Sequence, residues 1–373
     1  MENCGDFIQL LDPDVSTNIL SCLDDPADIV RVSCVSRSWH HFVIENGFSK
    51  RLCLKLFPEV SSATNAIEVD DMIEPVKVGS SDSKVLENSE KNHRIYTILA
   101  RGFSPTLRTD CISEAIYATS TDNDPEENIS NTLEPRDKID ERSSYWSSEG
   151  ESDDRVPERL TYRLSSKLCL ITEINIQPFQ AYFQYGFPIY SAKAVRFWMG
   201  HRKSPLETRT NTDEDHVDGY YVWTYVSPEF PMIQENCLQK FKLPNPVLCV
   251  GGFLQIELLG RVQRQEMDGL FYICVSHVQV VGRPLLPTFD AEVLNHSGKC
   301  VVKYCPEGES TSSTKSCEGD SGESSRLNTL TARWMRRAGG WEQVILNTLL
   351  GNAVVDTNID TDTDIDSDEE MVG

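Results

Sequence analysis

The chain has 373 residues, 39% of them hydrophobic, and carries 58 acidic against 35 basic side chains, for a formal charge of −23 at pH 7. At about 100–200 residues per domain this length admits two domains with linkers, and so acidic a chain lacks the positive counter-surface that general nucleic-acid binding needs. No apolar run approaches the roughly 20 residues of a membrane helix, and the opening MENCGDFIQLLDPD lacks a basic stretch followed by an apolar one, so neither a secretory signal nor a membrane partner is expected.

Residues 11–43, LDPDVSTNILSCLDDPADIVRVSCVSRSWHHFV, read as three short helices. Asp12 before Pro13 and Asp25 before Pro26 are start signals: the carboxylate accepts backbone N–H bonds, and proline in the first turn gives up an N–H that has no partner there. Asp28 sits where the helix dipole favours a negative charge. Val15, Ile19, Leu20 and Leu23 recur at helical spacing in the first helix; Ile29, Val30, Val32 and Val35 do so in the second; Trp39, Phe42 and Val43 follow Ser36. These helices hold more apolar surface than one small core can use.

The succession Leu11, Pro13, Asp14, Ile19-Leu20, Leu23, Asp28-Ile29, Val35 and Trp39 resembles the F-box, with Asp12 inserted between a Leu and a Pro that are usually adjacent in that family. The resemblance implies a Skp-type adaptor as partner and, through it, the cullin and RING subunits of a ubiquitin ligase. It assigns adaptor contact to Leu11, Pro13, Val15, Ile19, Leu20, Leu23, Ile29, Val32, Val35 and Trp39, some of which must also serve the F-box's own packing. The plainer alternative is a helical hairpin that packs onto the rest of the chain.

The F-box region is set at 5–57, closed by the basic amphipathic stretch GFSKRLCLKLF. Residues 58–92, rich in Ser, Asp, Glu and Val without a period, read as a flexible linker, and 93–109 as a helical spacer with Ile95, Ile98 and Leu99 on one face. From Glu158 the period becomes strand-like, in RLTYRL, LCLITEINIQ, YSAKAVRFWMG, YYVWTYV, CLQKFKL, VLCVGGFLQIELLG and LFYICVSHVQVVG. Ile174 and Ile176 oppose Glu173, Asn175 and Gln177; Val195, Phe197 and Met199 share a face; the run 255–258 alternates likewise. Gly251-Gly252, inside an apolar run, reads as a bulge or a close backbone approach. With no long helix between the strands, 110–285 is expected to be an antiparallel β-sandwich.

The front of this unit carries a second resemblance. The small residues Ala118 to Ser120, then Asn131, Thr132 and Leu133, then Tyr145 to Ser148 leading into the first long strand, resemble the opening of discoidin-like, galactose-binding-like sandwiches. Together the two resemble plant-type F-box proteins that carry such a sandwich, a multidomain fold with an all-α head and an all-β body. The aromatic segment FQAYFQYGFPIY offers Tyr182, Phe183, Tyr185 and Phe187 as a substrate-recognition surface. Alternatively the same loop folds over the open end of the sandwich. Trp146 is expected in the core.

Residues 286–325 read as a low-complexity linker, 326–351 as a helical segment and 352–373 as a solvated acidic tail. The alternating Asp360, Asp362, Asp364 and Asp366 lack the glycine and the bidentate glutamate of a calcium loop. His296, Cys300, Cys305 and Cys317 lack the paired close spacing of a zinc site. There is no Gly-x-Ser-x-Gly elbow and no glycine-rich phosphate loop, and His277 reads as a core or sheet-face histidine. No catalytic residue, metal or cofactor is expected. Cys22, Cys34, Cys169, Cys249 and Cys274, set among apolar neighbours, read as free buried thiols of a reducing compartment, the nucleus or cytoplasm.

The expected function is therefore that of a non-catalytic substrate receptor in a Skp–cullin–F-box ligase, with a protein substrate, glycosylated or not, on the sandwich. Glycan recognition is the competing reading, and an adaptor-bound protein with no part in ubiquitination is a third.

Overall fold

The structure, a computed structural model, describes residues 7–62, 67–68, 81–136, 138–139, 142–203, 217–294 and 299–305. The helical segment expected at 326–351, the acidic tail and most of the low-complexity stretch lie outside the described residues, as do His296 and Cys317.

Five short helices come first: α1 (Phe7–Leu10), α2 (Pro13–Ser21), α3 (Pro26–Ser33), α4 (Arg37–Glu45) and α5 (Phe48–Leu56). The three that the sequence marks are α2 to α4. Asp12 and Asp25 accept hydrogen bonds from the N–H groups of Asp14 at 2.9 Å and Ala27 at 2.8 Å, and Ser36 Oγ accepts from Trp39 N–H at 3.3 Å. Gly47, at φ 61°, turns the chain from α4 into α5 in a conformation that a side chain would strain. Ile8, Leu20, Ile29, Trp39, Val43, Phe48 and Leu52 close a small core between these helices.

A sixth helix, α6 (Ser81–Gly102), then leads to the strands β1 (Ile67–Glu68, before it in the chain), β2 (Ile112–Ala118), β3 (Trp146–Ser147), β4 (Glu158–Leu164), β5 (Leu168–Gln180) and β6 (Ala192–Arg202). They continue as β7 (Tyr221–Val226), β8 (Gln239–Val250), β9 (Phe253–Arg261), β10 (Cys274–Pro284), β11 (Phe289–Val293) and β12 (Cys300–Tyr304). One sheet runs β7-β6-β9-β4-β2, the facing one β8-β5-β10-β3, and a small third sheet runs β1-β12-β11. The two large sheets form the antiparallel sandwich that the alternation predicts. Ile256 lies in register between Leu160 and Phe197 on one, Ile174 between Phe241 and Val280 on the other, and all six are buried in the shared core.

Local backbone features adjust this plan. In β5, Glu173 pairs with Val281 and Ile171 with Gly282, so Thr172 is an extra residue. The bulge shifts the inward set from Cys169 and Ile171 to Ile174 and Ile176. The run VLCVGGFLQIELLG is two strands rather than one. Gly251 and Gly252, at φ 96° and 75°, carry the chain from β8 to β9 in the other sheet. The backbone approach is close there as well: a Cβ on Gly251 would stand 2.1 Å from that of His201. The polar residues of the 255–258 alternation are buried too, Glu257 being held by Arg159 and by the Trp198 indole, each at 3.2 Å.

Of the connection expected to be flexible, residues 63–66 and 69–80 lie outside the described residues, while 58–62 and 81–92 belong to a packed joint. Helix α6 starts within the stretch read as linker, because Glu, Lys and Leu favour helix even without an apolar stripe; residues 58–62 add a short 3₁₀ turn. Nor is α6 a spacer. Its Ile95, Tyr96, Leu99 and Ala100 pack with Cys53 of α5, with Phe57, Val60 and Phe103, and with Leu168, Leu170, Val250 and Leu285 of the sandwich. The strands β11 and β12 fall where a low-complexity linker was expected, and their Ala291, Cys300 and Val302 join the same core. Arg283 lies over the Phe57 ring at 5.0 Å, donates to Pro105 O at 2.8 Å and stands 3.5 Å from Glu59. Every described cysteine is free, but Cys22 and Cys34 are exposed rather than buried, since they cap the outward ends of α2 and α3.

Two outcomes follow from the joint. Leu99 is 1% exposed, and Leu99→Ala is expected to cost about 2–5 kcal/mol. A urea titration followed by both far-ultraviolet circular dichroism and tryptophan fluorescence should show helices and sandwich losing that stability together; a sandwich transition left in place would argue for independent modules. His93 of α6 meets Ser49 Oγ of α5 at 3.0 Å, and burial, then His40 and Arg94, lower its pKa from 6.5 to about 4. The unfolded chain therefore takes up the proton first, so this contribution to stability is present above pH 6.5 and is lost as pH falls towards 4. His93→Gln should flatten the urea midpoint over that interval.

Candidate functional site

Helix α2 is apolar on two sides. Leu20 and Ser16 face the small helical core, while Val15 and Ile19, one turn apart, face outward with about 45% of their surface exposed. Leu10, Leu11 and Pro13 before them and Val35 after α3 are exposed too, Val35 at 62%. The residues assigned to adaptor contact thus divide. Leu11, Pro13, Val15, Ile19 and Val35 are available to a partner; Leu23 and Val32 are half-buried; Leu20, Ile29 and Trp39 belong to the core. A helical spacing pattern does not tell these two faces apart when both are apolar.

A second feature lies beyond the other end of β5, past Gln180. A cavity of about 140 Å³ is walled by Tyr145, Phe179, Phe183, Tyr190 and Tyr272. Asp122, Asn123, Glu127, Gln184 and Gln265 line it further, and Ser147, Ala181 and Cys274 complete the lining. Tyr145 and Phe179 stack with centroids 3.9 Å apart and planes 9° from parallel. Tyr190 meets Tyr272 edge-on at 6.3 Å. Burial raises the pKa of Tyr190, and that of Cys274, to about 12, so both stay protonated.

Three of the segments that supply these walls, around 120, 148 and 271, are held by one buried ion pair. Arg261, at the end of β9, donates to Glu158 at the start of β4; the side chains are 0% and 4% exposed. The other guanidinium hydrogens reach Ser148 Oγ at 2.9 Å, Glu149 O at 2.8 Å and Phe271 O at 3.0 Å, and Nε reaches Val156 O at 3.2 Å. Glu158 also accepts from Thr119 and, at 2.8 Å, from Ser120. Nearby, the indole of Trp146, fully buried as expected, donates to Ser120 O at 3.1 Å. The segments quoted for the second resemblance, at 118–120 and 145–148, therefore converge on this floor.

Of the loop aromatics named from the sequence, only Phe183 lines the cavity. Tyr182, Tyr185 and Phe187 stand exposed, Tyr185 at 96%, so the loop displays its rings rather than folding them over the sandwich. Its shape is nonetheless fixed: Ala181 N–H donates to Pro188 O at 2.9 Å and Gln180 Nε2 to Phe187 O at 3.1 Å. Asp122, Glu127, Phe179, Tyr190, Gln265 and Tyr272 were not anticipated. They come from separate stretches of chain; Phe179 and Tyr190 are the two ends of the aromatic segment FQAYFQYGFPIY, while nothing in the sequence marked the others. His277 is buried against Thr132 O at 2.9 Å, a structural contact. Among the described residues no cluster of His, Cys, Asp and Glu is arranged to hold a metal ion.

Residues 13–55 match the model of the F-box-like family. Over 307 residues, 80% of this chain and 81% of the relative, the sequence is 52% identical to an F-box protein of Arabidopsis thaliana. This chain belongs to the F-box protein family. The sandwich of this F-box protein is also similar to solved structures. One is a family 32 carbohydrate-binding module from a Clostridium perfringens family 31 glycoside hydrolase, with 14% identity over 45% of this chain and 90% of that one, at a TM-score of 0.30. Another is the family 32 module of NanJ from the same organism, with 13% identity over 47% of this chain and 99% of that one, at a TM-score of 0.30.

Removing one half of the Arg261–Glu158 pair leaves a buried charge unanswered. Arg261→Ala should cost about 3–5 kcal/mol, whereas the neutral, volume-matched double change Arg261→Met with Glu158→Gln should cost less than the single one. Thermal melting of the three proteins checks the order.

Proposed function

We propose that this F-box protein is the substrate-recognition subunit of a Skp–cullin–F-box ubiquitin ligase. The observation that carries the reading is the outward apolar face of α2, joined through a shared core to a sandwich with a lined cavity at its far end. An unburied Val15–Ile19 face on so small a bundle is costly in water unless a partner covers it, and the F-box family supplies the Skp-type adaptor as that partner. β5, with 13 residues, runs from the joint at Leu168 towards the cavity at Phe179. At roughly 3.3 Å per residue that sets the joint and the cavity about 36 Å apart.

The chain's part is then positional. It holds a substrate lysine at high effective concentration near the charged conjugating enzyme, without contributing an acid, a base or a nucleophile of its own. Its free thiols suit the reducing nucleus or cytoplasm.

Exchanging Val15 and Ile19 together for Asp is expected to weaken adaptor binding by about 2–4 kcal/mol or more, read by co-purification. Because both side chains are exposed, the melting curve should stay in place. Undiminished adaptor recovery would remove the assignment. Cullin co-precipitated with the wild type but not with the variant distinguishes a ligase subunit from an adaptor-bound protein that acts elsewhere.

A further inference from the structure

Asp122, exposed at the distal cavity, is a charge that no described side chain answers. Its backbone N–H is tied to Ser147 O at 3.1 Å, but among the described residues nothing pairs with its carboxylate. Burial and the like charges of Asp268 and Glu149 push its pKa up, as expected where negative potential lacks a counter-ion. Among the described residues no Lys, Arg or His lines the cavity.

The tyrosines of the wall turn their protons away from any ligand. Tyr145 donates to Glu127, Tyr190 to Gln184 and Tyr272 to Asp268, each at 2.6 Å. The exposed Phe183 ring, phenolic lone pairs and carboxylate oxygens remain on offer, with amide groups beside them. Such a surface attracts a cation and repels phosphate.

We propose that this cavity receives an arginine side chain of the protein substrate, its guanidinium laid against the aromatic wall and donating to Asp122. The inference rests on the receptor reading above. Arginine fits better than lysine because its planar, weakly hydrated head stacks on rings and presents a fork of donors to a carboxylate. A space of about 140 Å³ is side-chain sized. The exposed Tyr182, Tyr185 and Phe187 beside it offer apolar contact to the flanking peptide.

The test uses the full chain co-purified with its Skp-type adaptor and a fluorescein-labelled peptide with a central arginine, read by anisotropy. Matched peptides carry lysine or citrulline, the neutral isostere, in its place. Saturable binding of the arginine peptide is expected, with citrulline weaker by about tenfold, the scale of one charge-assisted contact with a cation–π term. Asp122→Asn should bring arginine down to the citrulline level, and Phe183→Ala should weaken binding through the wall, both with unchanged melting. Equal binding of arginine and citrulline, indifference to Asp122→Asn, lysine binding as tightly as arginine, or no peptide binding would each overturn the proposal. So would displacement of the peptide by free galactose at the concentration that saturates the cavity. Cullin co-precipitation from the same samples separates the two readings: failure of peptide binding with cullin retained refutes the arginine site alone, and loss of cullin refutes the receptor.

Discussion

The apolar joint between α5, α6 and the sandwich is the constraint on which the rest depends. The helical head has a core of few residues and spends much of its remaining apolar surface outward. Burial of Cys53, Phe57, Leu99 and Leu170 in one cluster lets the larger body hold the smaller one in place. The bulge at Thr172 makes this arrangement possible: before it, β5 offers Leu168 and Leu170 to the joint while Cys169 and Ile171 face the sandwich core. Beyond it the strand serves the sandwich core through Ile174 and Ile176, with Asn175 and Gln177 on its opposite side. One strand thus carries both attachments.

Charge is distributed to match. The chain's excess of carboxylates is paired where it is buried, as at Glu158 and Glu257, and unpaired at the mouth of the cavity. Buried acids without partners would be protonated or would destabilise the fold. An acid at a solvent-reached opening bears a smaller penalty and remains available to a ligand.

Much of the fold was legible because its signals are local. Asp-Pro pairs start helices, and strict alternation in ITEINIQ or AVRFWMG writes a strand with a buried side. The helical head was recognisable from the order of Leu11, Pro13, Ile19-Leu20 and Trp39. The joint was not, because α6 reads as polar over its first half and the apolar residues it meets lie far off in the chain. The same holds for the cavity. Phe183 could be picked out in an aromatic loop, but Asp122, Gln265 and Tyr272 meet only through the sheet order. Nor could spacing divide the F-box residues into those that hold the head together and those that face outward, since α2 is apolar on both sides.

The Arg261–Glu158 pair also bears on how this sandwich can change over time. Its hydrogen bonds reach backbone or side chain at Thr119, Ser120, Ser148, Glu149, Val156 and Phe271, so a substitution at either residue disturbs several neighbouring segments at once. The rim positions Asp122, Phe183, Gln184 and Gln265 bear no such burden. Changes can accumulate there one residue at a time over an unaltered buried pair, which leaves this sandwich able to vary its cavity without refolding.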